Sequence, residues 1–279
     1  MSKGSSRSPD HRRRGREAPV YSDSGIVLRS HKLGDSDKVL RILTREHGKR
    51  SAVAKGIRKT TSRFGARLEP LTCATLLMHS GRNMDIIKQA EIQCSSREVR
   101  EDLDLFLRGA AMAEIVDCVT EEHEPHPELF DLLVKGLAIL RDCRGRPTFL
   151  LTFFEFRVLA IAGFELRVTC CAGCGNDLGA GEAFFSLHMG GFVCDACRGD
   201  RTGEVGKLVR VGHETARVLS WMADHDIGEW PDEMPGPGAE RELYFLMNRV
   251  IEHWMERQFP AHRVMRDVSR MLGTNKAGG

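Results

Sequence analysis

The sequence holds no apolar run near the roughly 20 residues that a membrane-spanning helix needs. Its most apolar stretch, residues 148–164, is broken by Glu155 and Arg157. A transmembrane helix is therefore not expected. Residues 1–18 are rich in Ser, Gly, Pro and Arg with no hydrophobic segment behind the charges, so a secretory leader is not expected either. They read as a disordered basic tail in a reducing, cytoplasmic protein. There is no GxxxxGK[ST] phosphate loop and no GxSxG elbow. His123 and His126 lack the i,i+4 spacing of a helical zinc protease, and prolines flank them, so a loop is expected there. A nucleobase deaminase needs HxE ahead of PCxxC, and neither CxxC of this chain follows a proline. No catalytic set emerges, and the chain reads as a binding protein and not an enzyme. Nine cysteines, an odd number, argue against a disulfide framework and for reduced thiols, some on metal.

What is present is an uneven charge. Of 279 residues, the first 67 carry 18 Lys/Arg against six Asp/Glu, and the remainder carry 23 against 33. The formal net charge of +2 thus hides a strongly basic N-terminal third on an acidic body, as expected of a nucleic-acid-binding segment. A basic face that serves only solubility is the plainer alternative.

From residue 24 the chain alternates in short segments separated by turns, which predicts strands at 25–31, 38–45, 50–57, 71–79 and 84–93. Five strands in about 75 residues suit a five-stranded OB-fold barrel, and an SH3-like barrel fits almost as well. Beyond residue 95 the period becomes helical: Leu103, Phe106, Leu107, Ala110, Ala111, Ile115 and Val119 recur at three- and four-residue steps. Further helices are predicted at 127–141, 148–162, 213–225, 239–256 and 263–272. No internal repeat is present. The expected organisation is α+β: the tail at 1–19, an OB-fold domain at 20–96, an all-helical domain at 97–168 and 204–279, and an inserted zinc ribbon at 169–203.

Cys171 and Cys174, then Cys194 and Cys197, form two CxxC pairs 19 residues apart. Each CxxC turn aims two thiolates to one side, and two such knuckles close a tetrahedral four-sulfur site suited to one structural Zn2+. With every position a protein thiolate, none is left for water or substrate. A redox CxxC or coincidental free thiols is the competing reading. Cys170 breaks the two-residue spacing, and Cys73, Cys94, Cys118 and Cys143 read as core residues.

The other concentration is basic: Arg29, Lys32, Lys38, Arg41, Arg45, Lys49, Arg50, Lys55, Arg58, Lys59, Arg63 and Arg67, against only Asp35, Asp37 and Glu46. Such a surface attracts phosphates without regard to base identity, and its binding weakens as salt rises. In the loop at residues 55–65, Phe64 is a candidate for stacking on a base, with a core role as the equal alternative.

Particular strings resemble the bacterial recombination mediators of the RecO family. GIVLRSHKLGDSDKVL at 25–40 looks like that family's opening strand pair, and AKGIRK at 54–59 with SRFGARLEP at 62–70 looks like its barrel loop. FELRV at 164–168 leading into CAGCG at 171–175, closed by GGFVCDACR at 190–198, resembles its zinc ribbon. The likeness covers residues 20–200 and weakens after 205, where residues 258–271 depart from the expected basic segment. It implies binding of single- and double-stranded DNA in the cytoplasm at the nucleoid, strand annealing and association with RecR. It also implies contact with the acidic, hydrophobic tail of the single-stranded-DNA-binding protein, and loading of RecA. The tail pocket would lie around Lys135, Arg141, Phe149 and Arg157. The alternative is a zinc-ribbon accessory factor of transcription or translation that binds RNA or protein; a metal-dependent hydrolase is a third.

Overall fold

The computed structural model describes residues 19–59, 62, 64–142, 145–178, 183–199 and 206–274, with side chains described as far as residue 268. The expected basic tail, Arg63 and Cys143 lie outside the described residues.

Five strands, β1 (Val20–Leu33), β2 (Asp37–Thr44), β3 (Gly48–Ala54), β4 (Cys73–His79) and β5 (Asp85–Cys94), close into a barrel in the order β1-β2-β3-β5-β4. All ladders are antiparallel except the short β3–β5 pair, where Ala52 faces Asp85 and Val53 faces Ile86. The period of two explains how one strand serves two cores. On β1, Val27 points into the barrel with Leu40, Ile42, Leu76 and Met78, while Ile26 and Leu28 point outward and join the helical core. The barrel is thereby fixed to the helices by its own strand alternation.

The helical part runs α1 (Arg97–Glu101), α2 (Leu103–Val119), α3 (Pro127–Arg141) and α4 (Pro147–Ile161), then the ribbon, then α6 (His213–Asp224), α7 (Pro237–Met255) and α8 (Pro260–Thr274); α5 (Asp195–Arg198) is a single turn in the ribbon. Helices α3, α4 and α7 open on proline, whose fixed φ suits the first turn and whose missing N–H costs nothing there. Asp102 caps α2 by accepting from the Leu105 N–H at 3.0 Å. Helix α4 is buried nearly all round, from Phe149 to Phe156 and on to Leu159, and packs against α2, α3 and α7 as the central element. Among the described residues no helix is long and apolar enough to cross a membrane.

The ribbon contains β6 (Ala183–Ser186) and β7 (Gly191–Val193), as two knuckles joined by a hairpin require. A third strand, β8 (Leu208–Val211), pairs antiparallel with β6 and lies beyond the range 169–203 expected for the ribbon. The ribbon is also no free appendage. Phe185, Leu187, Phe192 and Val211 belong to the main hydrophobic cluster, and Trp254 of α7 donates its indole N–H to the Leu187 carbonyl at 2.8 Å. Gly190, at φ +64°, lies flat against that indole: a Cβ there would come within 2.3 Å of the ring.

Candidate nucleic-acid interface and metal centre

The metal centre follows from two turns. Gly175 at φ +74° returns its N–H to the Cys171 carbonyl at 2.8 Å, and the Arg198 N–H closes the second knuckle on the Cys194 carbonyl at 2.9 Å. The sulfurs of Cys171, Cys174, Cys194 and Cys197 then lie within 4.8 Å of one another. A tetrahedral zinc with Zn–S bonds of about 2.3 Å spaces its sulfurs about 3.8 Å apart, and Cys174 and Cys194 are 3.7 Å apart. Burial raises the Cys171 thiol, but N–H groups of Cys174, Cys194 and Gly173 outweigh it and bring the thiol down to about 6. Hydrogen bonds from the neighbouring thiols push Cys197 up to about 12. Four sulfurs this close share charge only around a cation, so the donor set fits a metal ion. Cys170 is half-buried beside the cluster and outside it.

The barrel cations divide into two sets, and the division corrects the expectation of a single phosphate track. One set is neutralised by carboxylates, Arg29, Arg41, Arg45 and Lys49 by those of the helical domain and Lys38 and Arg50 by those of the barrel itself. Asp117 of α2 is the hub: its carboxylate lies 3.1 Å from Arg29, 3.3 Å from Arg41 and 3.1 Å from Lys49. Arg41 also pairs with Glu122. Lys49 is buried, and its ammonium donates to the Asp117 and Thr120 carbonyls at 2.5 and 2.6 Å as well. Burial pushes the Asp117 carboxyl up, but Lys49, Arg29 and Arg41 hold it below the ordinary carboxylate range. At the neighbouring edge Arg45 is bidentate to Asp131, and Arg50 is bidentate to Asp85, which also accepts from the Tyr21 hydroxyl at 2.5 Å. Lys38 pairs with Glu69 at 3.3 Å. Arg29, Lys38, Arg41, Arg45, Lys49 and Arg50 are thus engaged with carboxylates, and several of them hold the barrel to the helices.

The second set stays outward. Lys32, Lys55, Arg58 and Lys59 are exposed and form no salt bridge among the described residues. The fold brings them together because the β1–β2 hairpin tip is tied to the loop after β3. Arg58 donates to the Gly34 and Asp35 carbonyls at 3.2 and 3.0 Å, and the Gly56 N–H reaches the Asp37 carboxylate at 2.8 Å. That N–H, the Ser36 hydroxyl and the charges of Lys55 and Lys59 hold the Asp37 carboxyl below its usual range. Arg67 is exposed on the following 3-10 turn, Gly65–Leu68. Phe64 is not available for stacking: it is 2% exposed and packs in the barrel's hydrophobic cluster, to which Leu68 also belongs.

Of the four residues expected to make a peptide pocket, Lys135, Phe149 and Arg157 each meet the segment 226–230, and Arg141 lines a cavity elsewhere. Phe149 is 1% exposed, stacked on Trp230 at 5.7 Å and near Trp221. Arg157 pairs with Asp226, Lys135 is exposed near Gly228, and Arg141 lies on the rim of a different cavity between α3 and the barrel. A groove that the sequence did not suggest, of about 620 Å³, lies between α2, α4, α7 and α8, where Arg108, Arg241 and Arg266 surround Leu151, Tyr244 and Phe245. The acidic hub was missed as well. Its one local signal is Asp117 in the last turn of α2, where the helix dipole disfavours a carboxylate unless a cation meets it.

Comparison with known proteins agrees with this architecture. The family model for the recombination protein O N terminal region matches residues 19–95, and that for the C terminal region matches residues 100–263. The chain is 43% identical over 227 residues to the DNA repair protein RecO of a Nocardioides species, covering 80% of this chain and 88% of that one. It is 39% identical over 243 residues to that of Frankia casuarinae, covering 86% and 95%, and 34% identical over 250 residues to that of Bifidobacterium adolescentis, covering 88% and 99%. The chain belongs to the RecO family of DNA repair proteins.

Proposed function

We propose that this chain is a recombination mediator that binds single- and double-stranded DNA, anneals complementary strands and helps RecA onto DNA coated by single-stranded-DNA-binding protein. It works by binding alone, without covalent catalysis, in the cytoplasm at the nucleoid, and with RecR as a partner. The observation that carries this reading is the outward cluster of Lys32, Lys55, Arg58 and Lys59 where two loops of an OB-type barrel meet. Exposed cations outside any salt bridge among the described residues are able to replace the counterions of a phosphate chain, and doing so along two strands lowers their mutual repulsion without ATP. The four-cysteine cluster holds one structural Zn2+ in this reading, with all four positions filled by protein sulfur.

The test is a triple reversal, Lys55→Glu, Arg58→Glu and Lys59→Glu, with affinity for a single-stranded oligonucleotide measured across salt concentrations. Affinity is expected to fall on the order of tenfold or more at low salt, and the log–log salt slope to shrink by about 2, from roughly 0.7 per phosphate contact. Annealing should slow in parallel. An unchanged slope would refute the assignment, and a preference for RNA without annealing would favour the accessory-factor reading.

The groove of Arg108, Arg241, Arg266 and Phe245 suits an acidic, hydrophobic peptide tail better than the residues around Phe149. Three guanidinium groups and the Glu240 carboxylate ring an apolar floor; Arg108 pairs with Asp104 and Arg266 with Glu252, and Phe245 is 46% exposed. Substituting Arg241→Glu together with Phe245→Ala is expected to weaken binding of such a peptide by at least about tenfold, since loss of both an aromatic anchor and a cation exceeds about 1.4 kcal/mol. DNA affinity should stay unchanged; equal peptide binding by the variant would exclude the groove.

A further inference from the structure

The barrel carries a pair of cysteines that the metal site does not use. Cys73 opens β4 and Cys94 ends β5, and the two are direct partners in the antiparallel ladder. Opposed residues of a regular ladder have Cα atoms about 4.5–5.5 Å apart, inside the range of about 4.4–6.8 Å that a disulfide spans, and this pair stands next to a one-residue bulge at Gln93 that bends the strand locally. Both side chains line the same cavity, about 340 Å³ in volume, between the barrel and helices α1 and α3, with Leu71, Val99 and Leu137 on its other walls.

The two thiols have different environments. Cys94 is exposed at the mouth of the cavity. Cys73 is 5% exposed, and its thiol faces the Gln93 side-chain carbonyl at 3.3 Å. Burial, and then the proximity of Cys94, push the Cys73 thiol up to about 12. An oxidant in solution therefore meets Cys94 first, while Cys73 is held protonated behind it, close enough to act second and shielded from reacting alone.

We propose that Cys73 and Cys94 form a reversible disulfide that a hydroperoxide closes across the end of the β4–β5 ladder. The Cys94 thiolate attacks one peroxide oxygen; the O–O bond breaks, leaving a sulfenic acid and a hydroxide that takes up a proton as water. The Cys73 thiol then loses its proton to solvent as its sulfur attacks the Cys94 sulfur, and the S–O bond breaks with release of a second water. The peroxide gains the two electrons that the two thiols lose. The bond would pin the strand end from which the chain leaves the barrel. There Ser96 donates its hydroxyl to the Leu71 carbonyl at 2.8 Å and α1 begins.

The experiment treats the full-length, zinc-loaded protein with graded hydrogen peroxide, blocks remaining thiols by alkylation after denaturation, and maps the peptides. The expected result is loss of alkylation at both Cys73 and Cys94, a linked peptide joining them, and recovery of both thiols with dithiothreitol. In the Cys94→Ser variant, whose change lies at an exposed position, Cys73 should stay fully alkylatable at the same peroxide dose. In Cys73→Ser, Cys94 should be trapped as a sulfenic acid by dimedone. A wild-type protein in which Cys73 stays alkylatable while Cys94 is oxidised further, or in which disulfides form only among the ribbon cysteines, overturns the proposal.

Discussion

Replacing Cys194 with serine is expected to strip the ribbon of its metal and unfold it. The effect should be large because the ligand set is closed: three thiolates and a hydroxyl cannot replace four thiolates, and structural zinc contributes on the order of 10–16 kcal/mol in small zinc domains. It should also travel. Phe185 and Phe192, in edge-to-face contact at 5.5 Å, are part of the same hydrophobic cluster as α4, α6 and α7, and Trp254 loses the Leu187 carbonyl when the ribbon opens. The measurements are metal content by mass spectrometry and limited proteolysis. Stoichiometric zinc is expected in the wild type and in Cys170→Ser, none in Cys194→Ser, with new cleavage within residues 169–211 and a lower Tm. Zinc retained at full stoichiometry by Cys194→Ser would show that the four sulfurs are not the site.

Asp117→Ala is expected to destabilise the fold by about 3–5 kcal/mol, the usual cost of leaving a buried charge without its partner. The stranded charge is Lys49, 4% exposed, with only the Asp117 and Thr120 carbonyls left to accept from it. For a chain of this size that loss lowers Tm on the order of 10 °C. The same carboxylate makes stability pH-dependent. Its folded pKa lies below the unfolded value of about 3.9, so its contribution is fully present above that value and fades as pH falls through the lower folded one. Acid unfolding of the wild type should therefore be steeper below about pH 4 than that of Asp117→Ala. Affinity for DNA through Lys55, Arg58 and Lys59 should persist at a temperature where the variant is folded. A Tm shift under about 2 °C would mean that the hub holds nothing together.

These two sites differ in how far the sequence disclosed them. The ribbon was legible because its chemistry is local: CxxC spacing is read directly, and each knuckle is closed by backbone hydrogen bonds three or four residues apart. The strands and helices were legible for the same reason. The period changed from two to about three and a half after residue 95, and the helices expected at 127–141, 148–162 and 239–256 begin within two residues of the observed starts, which fall on Pro127, Pro147 and Pro237. The missed elements include α1, α5, β8 and the 3-10 turn Gly65–Leu68, each four or five residues long and too short for a period to register.

The amino-acid sequence by itself determined the five-stranded barrel, the helical body, the cluster of four sulfurs that fits a metal ion and the basic N-terminal third, because each rests on residue type, spacing or count within a short window. Only the tertiary structure decided which cations remain available to a phosphate chain. The carboxylates that claim Arg41 and Arg45 come from 76 and 86 residues further along, and a count within the first third cannot see them. It likewise decided that Phe64 and Phe149 belong to the interior. Burial and pairing depend on which distant segments meet, and that is set by packing of the barrel against α2 and α3.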